Sequence, residues 1–178
     1  MARLIVLLRG VNLVKHNRVS MPILREALTE VGFEEVATYV QSGNVVVTTS
    51  RAPAAVAKAV AAAIDERFGL DVGVAVRTRA ELAKIVERDP LGSVADDPKR
   101  YQVTFLDSPL ERAALEKLEA AAVGGERVEA VGREIYTWYP GGMGRSKLAR
   151  LVSGKALGNA TSRNWSTVTA LLALAADS

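Results

Sequence analysis

The spacing of apolar positions changes several times along this chain, and each change marks an element. Residues 3–8, where Arg3 leads an unbroken apolar run, predict a strand central in its sheet or covered on both sides. Ser20 stands as a helix cap ahead of Met21-Pro22, and Ile23, Leu24, Ala27, Leu28 and Val31 recur at helical spacing until Gly32 stops the run. Residues 35–41 and 44–49 are rich in Val, Thr and Tyr and read as a hairpin joined at Ser42-Gly43. From Pro53, an alanine-rich stretch places Val56, Val60, Ile64 and Phe68 on one helical face before Gly69. Val72, Val74 and Val76 then alternate as a fourth strand. The order β-α-β-β-α-β is the split βαβ plan of ferredoxin-like sandwiches. Thr78-Arg79-Ala80-Glu81 has the form of a capping box, opening a short helix that closes at Asp89-Pro90.

Residues 92–99 are polar and carry Pro98, which places a boundary between a first half at 1–92 and a second at 93–178. The second half opens like the first. Residues 101–106 predict a strand, and Ser108-Pro109-Leu110-Glu111 predicts a capped helix running to about Val123. Residues 127–131 and 134–139 predict a hairpin around Gly132-Arg133. After Pro140 the pattern is expected to break: Gly141 to Gly144 read as a flexible loop and the remainder as helical, ending in an amphipathic helix capped near Thr161 or Ser162 with Trp165, Val168, Leu171, Leu172 and Ala175 on one face. The expected class is α+β, with two tandem ferredoxin-like halves, the second modified by extra C-terminal helices.

A composition 49% hydrophobic and 24% charged supports a packed core and excludes the low-hydrophobicity signature of disorder. With no cysteine, the chain has no disulfide, thiolate nucleophile, iron–sulfur cluster or cysteine-ligated zinc. The N-terminal apolar run falls well short of the roughly 20 residues of a membrane helix and precedes no small-residue cleavage site, so the expected setting is cytoplasmic, without membrane contact. Net charge is only +3, but its distribution is uneven. Residues 1–25 hold Arg3, Arg9, Lys15, Arg18 and Arg25 without an acid, and residues 135–176 hold Arg145, Lys147, Arg150, Lys155 and Arg163, again without one. Brought together by folding, these segments would concentrate anions.

Four polar clusters sit at predicted element ends: Arg9-Gly10-Val11-Asn12, Gln41-Ser42-Gly43-Asn44, Gly144-Arg145-Ser146-Lys147, and Thr161 to Trp165. Loops on a rigid scaffold carry binding groups, and helix starts present amide donors to phosphate or carboxylate. Plain structural roles compete with each. Ser42-Gly43-Asn44 is also ordinary turn chemistry, Ser162 and Asn164 also cap helices, and Trp165 suits a core anchor. Gly141 to Lys147 lacks phosphate-loop spacing. His16 is a lone histidine in a basic loop, and Asp96-Asp97 beside Pro98 suits a solvated turn, so no metal and no cofactor are expected. No Ser-His-Asp arrangement is visible. The predicted central strands carry no aromatic for base stacking, which argues against sheet-face RNA binding.

Leu7-Leu8-Arg9-Gly10-Val11-Asn12, Met21-Pro22-Ile23-Leu24-Arg25, Tyr39-Val40-Gln41-Ser42-Gly43-Asn44-Val45, Gly144-Arg145-Ser146-Lys147-Leu148 and Arg163-Asn164-Trp165-Ser166-Thr167-Val168 together resemble the bacterial family known as domain of unknown function 1697. The resemblance implies a tandem α+β arrangement with ferredoxin-like halves and transfers no catalytic residue. Where that family continues its first motif with valine and paired glycines, this chain has Leu13-Val14-Lys15, and Ser166 stands where the family often has Asn.

The functional expectation is a binding module whose basic inter-half cleft, lined by Arg9, Asn12, Gln41, Ser42, Asn44, Arg145, Ser146, Lys147, Arg163 and Asn164, holds a phosphate-bearing ligand, nucleic acid included. The alternatives are a small metal-independent enzyme acting on an anionic metabolite, with Arg145 and Lys147 as clamps and Ser146 as nucleophile, and an interaction scaffold without a small ligand. Oligomeric state is open at this point.

Overall fold

In the computed structural model, which describes residues 1–13 and 16–176, β1 (Ala2–Leu8) lies between β3 (Asn44–Thr49) and β4 (Val74–Thr78) and pairs antiparallel with both. That central place explains the composition of β1: Leu4 through Leu8 are all buried, so neither face requires a polar side chain. β2 (Glu34–Tyr39) pairs antiparallel with β3 at the edge, giving the order β2-β3-β1-β4, and its exposed glutamates mark that edge. Val14 and Lys15 of the basic loop lie outside the described residues, as do Asp177 and Ser178.

Two helices cover one face of this sheet. α1 (Met21–Glu30) buries Met21, Leu24, Ala27 and Leu28, and α2 (Pro53–Phe68) buries Val56, Val60, Ala63 and Ile64. Both interleave with Leu4, Val6, Leu8, Val45, Val47, Val74 and Val76, the residues that alternate onto that face. Each fully buried Leu, Ile or Val contributes on the order of 1.5–3 kcal/mol. α3 (Arg79–Arg88) opens on the expected capping box: Glu81 N–H donates to Thr78 Oγ1 at 3.1 Å, and Thr78 N–H donates to Glu81 Oε2 at 2.8 Å.

The chain divides into two compact units, Met1–Ala83 with Leu171–Ser178, and Lys84–Ala170. In the second, β5 (Tyr101–Phe105) is the central strand of a sheet ordered β6-β7-β5-β8, with β6 (Arg127–Val131), β7 (Glu134–Trp138) and β8 (Thr161–Asn164), antiparallel throughout. α4 (Arg112–Ala121) and α5 (Lys147–Ser153) close one face over Leu106, Leu118, Ile135, Tyr139, Leu148 and Val152. On the other face Tyr101 stacks on Trp165, the first residue of α6 (Trp165–Ala176), with ring centroids 4.6 Å apart, and Tyr136 Oη donates to the Ile85 carbonyl. Among the described residues the protein is therefore α+β, with two four-stranded antiparallel sheets and six α-helices, none long and apolar enough to cross a membrane.

Three expectations are corrected. The pattern does not turn wholly helical after Pro140: Thr161–Asn164 is a strand, held to β5 by its ladder and by the Thr104 and Ser162 hydroxyls 2.6 Å apart. A short polar edge strand has no apolar alternation to reveal it, and α6 accordingly starts at Trp165. The Ser108 capping box does not form. Leu110 packs on the core ahead of the helix, and α4 starts at Arg112, with Glu111 extended at the cap position and no side-chain cap bond. Finally, the first hairpin turns over residues 40–43, because β2 ends at Tyr39.

Candidate functional site

The carboxyl end of β1 meets two other segments of the first unit. Leu8 N–H donates to the Gly43 carbonyl and Arg9 N–H to the Gly73 carbonyl, both at 2.8 Å, so Arg9 emerges half-buried between the β2–β3 turn and the approach to β4. Beyond it the backbone takes left-handed conformations at Gly10 (φ 69°) and Asn12 (φ 55°), and the chain doubles back. Glycine and asparagine are the residues that tolerate this region at least strain. Asn12 N–H donates to the Asn17 carbonyl at 2.9 Å, and Asn17 Nδ2 donates back to the Gly10 carbonyl at 3.3 Å.

Asn12 locks the returning strand of this loop. Its Oδ1 accepts from Val19 N–H at 2.8 Å, while its Nδ2 donates to the Val19 carbonyl at 2.9 Å and to the Gln41 carbonyl at 2.6 Å. One carboxamide thus joins the end of β1, the entry to α1 and the hairpin turn. Between them lies a groove of about 420 Å³ lined by Asn12, Arg18, Val19, Ser20 and Gln41.

Ser20 occupies the N-cap of α1 with extended backbone, yet its side chain makes no capping hydrogen bond. Leu24 N–H bonds to the Ser20 carbonyl at 2.9 Å, so the Met21 and Ile23 amides precede the intrahelical ladder and Pro22 has none to offer. The groove therefore combines a guanidinium, a hydroxyl and a helix start in a stretch without an acid. Of the candidates read from the sequence, Asn12 and Gln41 line it, and Ser42 is exposed on the adjoining turn. Asn44 is buried, with Nδ2 donating to the Tyr39 carbonyl at 3.1 Å, and supports the turn from beneath. Arg18 and Ser20 were legible only as a basic residue and a helix cap. Their place beside Gln41 depends on the Asn12 side-chain bonds, which no local pattern encodes.

The other candidates belong to the second unit. Ser146 is the buried N-cap of α5; its Oγ accepts from Ala149 N–H at 3.1 Å and donates to Glu126 Oε2 at 2.5 Å, with Arg145 and Lys147 exposed on either side. Tyr139, close to this pair, is raised above the ordinary tyrosine value by burial, an effect to which the Glu126 charge adds. Arg163 on β8 donates to the Ser162 carbonyl at 2.8 Å, and burial pushes its guanidinium down to about 10. Asn164 Oδ1 accepts from Thr167 N–H at 2.9 Å and so caps α6.

Two further grooves in this unit differ in charge. One of about 710 Å³ is lined by Val94, Asp96, Asp97, Pro98, Arg100, Trp138 and Pro140, and its Arg100 is held 3.5 Å from Asp97. The other, of about 400 Å³, follows β5 as the first-unit groove follows β1, but Asp107 and Glu111 line it and would repel an anion. Among the described residues no cluster of three or more metal-ligating side chains occurs.

The sequence matches the family described as Protein of unknown function (DUF1697) over residues 1–136. No curated protein matches it. Among solved structures, a conserved bacterial protein from Streptococcus pneumoniae, SP0830, is similar with a TM-score of 0.78 over 98% of both chains at 18% sequence identity, a likeness of fold.

Proposed function

The chain belongs to the DUF1697 family, and on that premise we propose that it is a binding protein for a phosphate-bearing ligand, held in the groove between the β1–α1 loop and the β2–β3 turn. The observation that carries this reading is the closure by Asn12, which sets Arg18, the uncommitted Ser20 cap and the start of α1 around one concavity in an acid-free stretch. A helix start and a guanidinium are complementary to the same anion through amide dipoles and charge-assisted hydrogen bonds. The β2-β3-β1-β4 and β6-β7-β5-β8 orders support reading both units as ferredoxin-like, a fold that hosts many functions and selects none.

Isothermal titration with inorganic phosphate and with AMP, at low and at physiological salt, tests the proposal. Binding is expected at low salt, weaker at higher salt, and about tenfold weaker or more in Arg18→Ala, since a hydrogen bond to a charged group contributes about 1.5–3 kcal/mol. Absence of binding by either compound at low salt refutes it. A second reading rests on the Ser146–Glu126 bond: a hydroxyl within 2.5 Å of a carboxylate has the geometry of a nucleophile and its base, with Arg145 and Lys147 beside it as clamps for an anionic substrate. Labelling of Ser146 by a fluorophosphonate probe is its test, and an unlabelled serine eliminates it.

A further inference from the structure

We infer that the first-unit groove takes a mononucleotide-sized phosphate ester, with Gln41 reading the hydrogen-bonding edge of its base, and does not track a nucleic-acid strand. This rests on the phosphate reading above and adds the ligand class. Capacity is the first consideration: about 420 Å³ falls in the range of about 300–1,000 Å³ typical of small-molecule sites. A strand instead needs a basic track that neutralises successive phosphates, with aromatic platforms for successive bases. Among the described residues, those lining this groove include one cation, Arg18, and no aromatic.

Gln41 supplies the second consideration. Its backbone carbonyl is held by Asn12 Nδ2 at 2.6 Å, which fixes the residue at the groove wall, while its exposed side-chain amide has no partner among the described residues. A carboxamide presents a donor and an acceptor side by side, the complement of the adenine N6/N7 edge. Arg18 and the Ser20 hydroxyl then answer the phosphate, so the groove has two chemically different sides. The immediate chain neighbours of Asn12 and Gln41, Leu13 and Val40, are apolar and exposed, at 61% and 52%. Val40 holds φ 52° within the β2–β3 turn, a strained conformation for a β-branched residue.

The test compares AMP, ribose 5-phosphate, inorganic phosphate and a short oligodeoxyadenylate by isothermal titration at fixed salt. AMP is expected to bind about tenfold tighter than ribose 5-phosphate, the discrimination one bidentate base contact provides. In Gln41→Ala, its fold checked by circular dichroism, AMP affinity is expected to fall to that of ribose 5-phosphate. Equal affinity for AMP and ribose 5-phosphate in the unaltered protein overturns the inference while leaving the phosphate site standing. So does an AMP preference that survives in Gln41→Ala. Tighter binding of the oligonucleotide than of AMP overturns it in favour of a strand. If none of the four binds, the phosphate reading falls as well.

Discussion

Gly43 allows the closeness of the β2–β3 turn to the end of β1 to be measured directly. It sits at φ 82°, and a Cβ there would stand 2.6 Å from Val11 Cγ2 and 2.7 Å from Leu8 Cβ, both on buried residues that cannot swing aside. Gly43→Ala therefore carries two penalties. The left-handed conformation costs an alanine about 1–2 kcal/mol, and forcing a methyl into an occupied site costs about 1–3 kcal/mol. Together these give about 2–5 kcal/mol, a large part of the roughly 5–15 kcal/mol by which a domain is stable. Gly69, the left-handed C-cap of α2 at φ 66°, has nothing within 4 Å of its Cβ direction, so Gly69→Ala isolates the backbone penalty at about 1–2 kcal/mol. Urea unfolding followed by far-ultraviolet circular dichroism on both variants gives the difference. If Gly43→Ala costs no more than Gly69→Ala, the turn is not packed on Leu8 and Val11 as described, and the groove that depends on that contact loses its wall.

Asn12→Ala removes three side-chain hydrogen bonds at about 0.5–1.5 kcal/mol each and places alanine at φ 55° at about 1–2 kcal/mol, so a loss of about 2.5–6.5 kcal/mol is expected in the same urea assay, together with loss of phosphate binding. Tyr136 is buried, and its phenol is raised to about 12, chiefly by desolvation. The unfolded chain thus releases this proton near pH 10 while the folded protein retains it, so the Tyr136 contribution to stability is intact below pH 10 and declines as pH rises toward 12. Tyr136→Phe is expected to flatten that decline in urea midpoints measured across the window, and an unchanged slope would exclude Tyr136 as its source.

What the sequence made legible and what it hid divide along a physical line. Where burial decides a whole element, the pattern shows it: β1 is continuously apolar because it is central, and Val56, Val60 and Ile64 mark the α2 face because one sheet covers it. Local chemistry complete within a few residues is legible too, as the Thr78–Glu81 reciprocal cap demonstrates. The same four-residue signature at Ser108 forms no cap: α4 starts at Arg112, and Leu110 packs on the second core ahead of it. β8 escaped notice for a related reason, since the partner that makes it a strand, β5, lies far away in sequence and the residues themselves are polar. The candidate site combines both cases. Asn12 and Gln41 stand out as loop residues of the binding type, but Arg18 and Ser20 become their neighbours only through side-chain bonds that span the 12–41 separation. Asparagine in a left-handed turn can satisfy its own loop or bind a ligand, and here its three bonds commit it to the loop. Arg18 and Ser20 are thus less visible in sequence than Gln41, because what places them is another residue's hydrogen bonding.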